Sequence, residues 1–354
     1  MSESQPPLDS VAYLVNGLPS LLARRVLEQV LCFEPRAKVF AIVHADDVDY
    51  VERTLLELEP AQQGRVELLT GDPTAIDFGL SGAEYLTLAQ RVRRVHHVVT
   101  PSAIYADGAN ADEVGAALGR EIVEFGRAAT GLQAFVVYSS ADVSGDRSGT
   151  VLEAELEAGQ AFPRPFARAL ALMERSVRSA RDQLPAVVIR PTMLAGDSQT
   201  GECERATPIY QLVEAALAVP ATQVVRVPED RAPLHLVAVD YVARAAYYAG
   251  RRQDTIGSTL HLTDTHPTTI GHLLEQVLDA CGHERREKHN LGSRLQQPIS
   301  DLSRACAALR GPHVFYDTRQ MDRLLGQSGI SCPPLREYAD KLVHFVQGRR
   351  KRRA

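Results

Sequence analysis

The sequence predicts an α/β fold in which a doubly wound parallel sheet is followed by a smaller mixed α/β C-terminal lobe. Three observations carry this expectation. Over the first half, short β-branched apolar runs alternate with longer amphipathic stretches, the pattern of successive βαβ units. Each run is short, apolar and bounded by polar residues or glycine, as in strands of a parallel sheet. The 354 residues, 45% of them hydrophobic, are enough for one such sheet and a second lobe.

The first strand is predicted at 12–16, and the stretch VNGLPSLLARR that follows opens a helix over 21–32. One glycine, Gly17, stands at the turn, and Ser20 is placed to cap the helix. Further strands are expected at 39–43, 66–70, 96–100, 134–139 and 186–190, with helices between them at 48–57, 83–93, 111–129 and 167–181. From Gly196 the rhythm changes to mixed elements, with helices at 208–218, 241–249 and 272–281. The chain is thus divided into an N-terminal disordered segment (1–10), a Rossmann-like domain (11–195), a smaller lobe interwoven with the sheet (196–347) and a basic tail (348–354).

Composition excludes several classes. A formal net charge of -5 with 23% charged residues argues against disorder and against a globally basic nucleic-acid binder. Cys32, Cys203, Cys281, Cys306 and Cys332 lack C-x-x-C spacing, so neither a disulfide framework nor a structural zinc site is expected. CPPL at 332–335 reads as a turn before the last helix. No apolar signal region and no run long enough to span a membrane occur, which gives a cytoplasmic expectation. No His/Asp/Glu cluster has metal-ligand spacing, and neither Ser139 nor Ser140 sits in a G-x-S-x-G elbow.

Six blocks in order carry a family resemblance: GDPTAIDFGLS, TPSAIYAD, VVYSSADVSGDR, VIRPTMLAGDSQTGE, APLHLVAVDYVARA and FYDTRQMDRLLGQSGISCPPL. With these the chain resembles the extended short-chain dehydrogenase/reductases, in the thioester-reductase and fatty acyl-CoA reductase-like branch. The resemblance implies a dinucleotide site at the first turn, where the family pattern is like T-G-A-T-G-F-L-G. Gly17 matches the first glycine, while Ser20 replaces the second and Ala23 the third. The Ser20 Cβ takes space that phosphates need, and Pro19 has no N–H to offer an anion, so pyrophosphate binding is expected to be weak or absent. Equally, Pro19 and Ser20 serve simply as a turn and a cap. Asp72 matches the aspartate near the adenine, or forms a turn before Pro73. At the end of the second strand His44, with Asp46 and Asp47 beyond, stands where the branch often has arginine for the extra phosphate of NADP.

The family's chemistry uses a hydroxyl, a tyrosine and a lysine. Ser140 keeps the hydroxyl position, but Phe166 stands for the tyrosine and Leu170 for the lysine. Phenylalanine has no ionisable proton, and leucine can neither stabilise a phenolate nor bond a ribose. Arg164 and Arg168 make poor acids. Tyr138, Tyr105 and His97 are the candidate replacement donors, and His96 and His97 also read as partly buried strand-end residues.

The leading expectation is a non-catalytic protein of this type, a pseudoenzyme with a regulatory, scaffold or ligand-binding role and no cofactor. The alternatives are an NADP-dependent reductase of an acyl thioester or aldehyde with an atypical donor, and a sensor that binds NADP or NAD without turnover. A protein partner and an acyl-type ligand are the expected contacts, not nucleic acid. The run Arg349, Arg350, Lys351, Arg352, Arg353 reads as a solvated tail after the last helix, or as a contact for an anionic partner. By resemblance alone, the helices at 111–129 and 167–181 are candidates for pairing between chains.

Overall fold

The computed structural model describes residues 11–100, 110–220, 225, 231–283 and 296–352, with only the backbone at 296–299. Residues 1–10, Tyr105 with its neighbours 101–109, and Arg353 lie outside the described residues. Two compact units are present. The first takes Met1–Gly145, Leu156–Arg190 and Ala243–Leu260; the second takes Asp146–Glu155, Pro191–Val242 and His261–Ala354.

The strands are, in chain order, β1 (Ala12–Asn16), β2 (Lys38–Val43), β3 (Val66–Thr70), β4 (Val92–Val98), β5 (Ala134–Tyr138), β6 (Gly149–Val151), β7 (Ala186–Pro191), β8 (Met193–Gly196), β9 (Leu236–Ala238), β10 (Thr259–Leu262) and β11 (Val314–Tyr316). Seven of them form a parallel sheet in the order β10-β7-β5-β4-β1-β2-β3. The order reverses between β1 and β4, and the carboxyl ends of those two strands form the crevice in which such sheets hold ligands.

The first helices are α1 (Leu21–Phe33), α2 (Val48–Leu55), α3 (Pro60–Gln63), α4 (Gly82–Arg91), α5 (Ala111–Ala128) and α6 (Pro165–Ser179). One face of the sheet, with Leu14, Phe40, Val95, Phe135 and Val137, shares a buried apolar cluster with Leu88 of α4, Ile122 of α5 and Met173 of α6. Gly115 on α5 is needed for this packing, because a Cβ there would stand 2.4 Å from the Ala169 carbonyl oxygen. That close approach fixes α6, the helix that carries Phe166 and Leu170.

The second unit holds α7 (Pro208–Ala216), α9 (Ile270–Ala280), α10 (Gln296–Ala308), α11 (Arg319–Leu325) and α12 (Ala339–Lys351), while α8 (Val239–Ala249) begins in it and ends in the first. Two short parallel pairs, β6 with β11 and β8 with β9, brace this unit. Glu153 is buried and receives the backbone N–H groups of His261, Gln320 and Met321.

Three sequence expectations change. Strand β4 begins at Val92 and ends at Val98, whereas 96–100 was expected. Arg93 and Arg94 fit a strand because Arg93 donates to the Gln90 carbonyl and Arg94 lies over the Tyr13 ring and donates to its hydroxyl. Strand β10, not anticipated, completes the sheet beside β7. Helix α12 runs through Arg349, Arg350 and Lys351, so this part of the basic run is helical rather than a tail. Cations in a last helical turn face the free carbonyls and the negative end of the helix dipole, which favours continuing the helix.

Candidate functional site

The turn between β1 and α1 begins at Gly17, with φ +98, where a Cβ would meet the Val98 carbonyl oxygen at 2.4 Å. Close passage of β4 therefore requires this glycine by itself. Two amides at this turn are engaged within it. Ser20 N–H donates to the Gly17 carbonyl at 3.0 Å, Ala23 N–H donates to Ser20 Oγ at 3.3 Å, and Pro19 has none to give. Arg24, from the first turn of α1, donates from Nε to the Pro19 carbonyl at 3.3 Å. Ser20 thus acts as the helix cap, and Ala23 is fully buried.

At the neighbouring strand ends, Asn16 and His97 are register partners on β1 and β4, and both are fully buried. Asn16 Nδ2 and His97 Nδ1 lie 3.1 Å apart, leaving Asn16 Oδ1 and His97 Nε2 without a hydrogen-bond partner among the described residues. Burial holds the His97 pKa down to about 4. Buried polar atoms left unpaired cost about 1–3 kcal/mol each, and these two lie at the crevice between β1 and β4.

The candidate donor Tyr138 does not face this cluster. Strand alternation puts Tyr138 and His96 on the sheet face opposite Val95 and Val137. There the Tyr138 hydroxyl meets His96 Nδ1 at 3.0 Å, with the Tyr13 ring stacked on His96. Burial raises the Tyr138 pKa well above its usual value and lowers that of His96 to about 3, so both are neutral in the folded protein. Tyr105 lies outside the described residues.

Ser140 follows β5 and accepts from the Asp142 N–H at 3.1 Å, capping the short turn 141–144. Asp142 pairs with Arg164 at 2.9 Å, tying this turn to the start of α6. On α6, Phe166 packs half-buried against the apolar cluster, and Leu170 belongs to it with no exposed surface. The structure thus joins the segments of Ser140, Phe166 and Leu170, with an apolar face in place of a polar pair. Arg168 forms a two-pronged pair with Asp112, at 2.8 and 2.9 Å.

One turn beyond Leu170 lies a group the sequence reading missed. Glu174, fully buried, receives Arg190 Nη2 at 2.6 Å and Nε at 3.0 Å, Ser139 Oγ at 3.0 Å and Arg178 Nε at 2.8 Å. Arg178 continues to Thr259 Oγ1 at 3.0 Å, so α6 is locked to β5, β7 and β10. The signal available was an arginine at the end of the apolar run VVIR.

Asp72 sits in the turn after β3 and accepts from both the N–H and the hydroxyl of Thr74 at 2.8 Å. The same turn holds Asp77 and Phe78 at φ +53 and +57, a costly backbone for residues with side chains. Full burial of Phe78 and a bond from the Asp77 N–H to Glu121 keep it. His44 Nδ1 receives the Asp46 N–H at 3.4 Å on the surface. Among the described residues no group of three or more metal-binding side chains occurs, and no helix is long and apolar enough to cross a membrane.

A family model described as male sterility protein, NAD-binding, matches residues 16–246. A search of the curated proteins gives no match. Among solved structures, the chain is similar to the terminal R domain from the myxalamid PKS-NRPS biosynthetic pathway, with TM-score 0.77 and 20% identity over 96% of this chain and 91% of that one. The reductase (R) domain of a non-ribosomal peptide synthetase from Mycobacterium tuberculosis gives TM-score 0.73 and 16% identity, over 95% and 91% of the two chains. A yeast methylglyoxal/isovaleraldehyde reductase complexed with NADPH gives 0.65 and 13%, over 96% and 99%. At these identities the likeness is one of fold.

Proposed function

The chain belongs to the male sterility protein family, an NAD-binding branch of the extended short-chain dehydrogenase/reductases, and from that premise we propose that it is a non-catalytic member with a regulatory, scaffold or ligand-binding role. The observation that carries this reading is Leu170. In place of the lysine that the family chemistry uses, a leucine without exposed surface is packed into the same cluster as Leu118 and Ile122. Phe166, one turn earlier, has no proton to give, and the Ser140 hydroxyl already accepts a backbone bond. The β1–α1 turn fits a pyrophosphate poorly, because the Ser20 and Ala23 amides are engaged internally and Pro19 lacks one.

One observation favours a second reading, a nucleotide sensor without turnover. Asn16 Oδ1 and His97 Nε2 are buried and unpaired beside Gly17, as polar atoms waiting for a ligand would be. A reductase with an atypical donor is the weaker alternative, since the Tyr138 hydroxyl is bonded to His96 on the opposite sheet face. The five cysteines are free thiols.

The test is turnover. Purified protein incubated with NADPH or NADH and either a medium-chain acyl thioester or an aldehyde should leave absorbance at the nicotinamide band unchanged. Protein-dependent oxidation that scales with protein concentration would overturn the proposal.

A further inference from the structure

The parallel sheet covers one of its edges and leaves the other open. At one end β10 is buried along its length, whereas at the other β3 is half-buried from Val66 to Leu69 and exposed at Thr70. In the register of β3 on β2, the Val39 N–H donates to the Arg65 carbonyl at 2.8 Å and the Gly71 N–H to the Val43 carbonyl at 3.0 Å. The ladder to β2 therefore uses Arg65, Glu67, Leu69 and Gly71, and the backbone N–H and C=O groups of Val66, Leu68 and Thr70 point out of the sheet. Among the described residues nothing bonds these outward groups.

Each face of β3 borders a groove. Val66 and Leu68 line one, with Asp49, Glu52 and Arg53 of α2 and with Leu56, which is 70% exposed. Glu67 and Leu69 line the other, with Glu84, Thr87 and Arg91 of α4. Both helices carry an acid in the first turn and a base in the last: Asp49 and Arg53 on α2, Glu84 and Arg91 on α4. Among the described residues neither arginine has a carboxylate partner; Arg53 donates to the Asp49 backbone carbonyl, and Arg91 lies 4.6 Å over the Phe40 ring. The one charged residue of β3, Glu67, is met by Lys38 at 3.4 Å.

We propose that β3 is the docking edge for a second copy of this chain, the two β3 strands pairing antiparallel about a two-fold axis that passes through Leu68 normal to the sheet. Leu68 then opposes the partner's Leu68 and Val66 opposes the partner's Thr70, so the hydrogen-bonded pairs of the new ladder fall on the residues whose backbone groups are free. Glu67 opposes the partner's Leu69, and no like charges meet on the strand. The same axis sets α2 and α4 antiparallel to their copies, which turns Arg53 toward the partner's Asp49 and Glu52, and Arg91 toward the partner's Glu84. An isologous contact must be self-complementary, and a second copy brings both charge signs in the order that this edge needs. The inference stands independently of the reading of Phe166 and Leu170.

Sedimentation velocity of the whole protein between about 1 μM and about 100 μM is expected to show a monomer–dimer equilibrium. Leu68→Pro removes an outward N–H and leaves the bonds to β2 in place; it is expected to weaken the dimer at least about 10-fold with the far-ultraviolet circular dichroism unchanged. Arg53→Glu alone and Asp49→Arg/Glu52→Arg alone are each expected to weaken it by about 10-fold, and an equimolar mixture of these two variants is expected to associate as the wild type does. Should Leu68→Pro fail to fold, the charge variants carry the test. A monomer at about 100 μM, a dimer untouched by these substitutions, as one formed through α5 and α6 would be, or no recovery on mixing would overturn the proposal.

Discussion

Replacing Leu170 with lysine separates a filled core from a surviving cleft. Leu170 has no exposed surface and sits among Leu118, Ile122 and Met173. An ammonium there loses its hydration, and the nearest buried carboxylate, Glu174 one turn on, is already held by Arg190, Arg178 and Ser139, so the lysine is expected to be neutral in the folded protein. Burial of this kind lowers a lysine pKa by roughly 3–5 units, and each unit is worth about 1.4 kcal/mol. At about pH 7 only the roughly 3.4 units between the pH and the ordinary lysine pKa count, so the substitution should cost about 4–5 kcal/mol there. The sign with pH is fixed: the unfolded chain holds the extra proton and the folded chain does not, so stability rises as pH climbs toward the ordinary lysine pKa. Urea unfolding of wild type, Leu170→Met and Leu170→Lys at about pH 7 and about pH 9.5 measures both features. The methionine should cost less than about 1.5 kcal/mol, and the lysine deficit should shrink at the higher pH. A lysine variant within about 1 kcal/mol of wild type, with no pH dependence of the difference, would place position 170 in a hydrated cleft and refute the reasoning.

Three further outcomes are expected. Glu174→Leu strands the buried Arg190 guanidinium and should cost about 3–5 kcal/mol in urea unfolding, most of it recovered in Glu174→Leu/Arg190→Met; no recovery would mean that the pair is not the coupled unit described. Gly17→Ala places a Cβ against the Val98 carbonyl at φ +98 and should lower stability by more than the roughly 1 kcal/mol of a lost helix cap, whereas Ser20→Ala should cost only that roughly 1 kcal/mol; equal effects would remove the packing argument for Gly17. Burial holds His97 near 4 and His96 near 3, while the unfolded chain takes up protons around 6.5. Their contribution is full above that unfolded value and falls as the solution is acidified toward pH 4, by up to about 1.4 kcal/mol per pH unit for each histidine. The urea midpoint should fall across that window and fall less steeply in His97→Gln; an unchanged slope would show that His97 is not held neutral.

Legibility in the sequence followed the kind of interaction. Strands β1 and β3 match their expected limits residue for residue; β1 is covered along its whole length, while β3 is the half-exposed edge strand of the sheet. Ser20 was readable as a cap, and the structure gives it that bond. Strand β10 was hidden because it is four residues long and centred on a histidine, His261, whose ring finds the Asp317 carbonyl only through tertiary folding. The start of β4 was hidden by two consecutive arginines, which periodicity assigns to a surface helix. In the site, the residue types at 17, 20, 140, 166 and 170 were legible, but their surroundings were not. That Tyr138 faces away from Leu170 follows from strand register, and that Glu174 is locked by three donors follows from partners 16 and 35 residues away in sequence.

The most direct test of the central claim is a calorimetric titration of the wild-type protein with NADPH and, separately, NADH. A turn with two amides spent on Gly17 and Ser20 and a proline without one, with a leucine at the lysine position, predicts no saturable heat up to about 1 mM nucleotide, which corresponds to a binding free energy weaker than about -4 kcal/mol. Saturable binding at micromolar nucleotide would contradict the account, and would assign the unpaired Asn16 and His97 atoms to a working dinucleotide site.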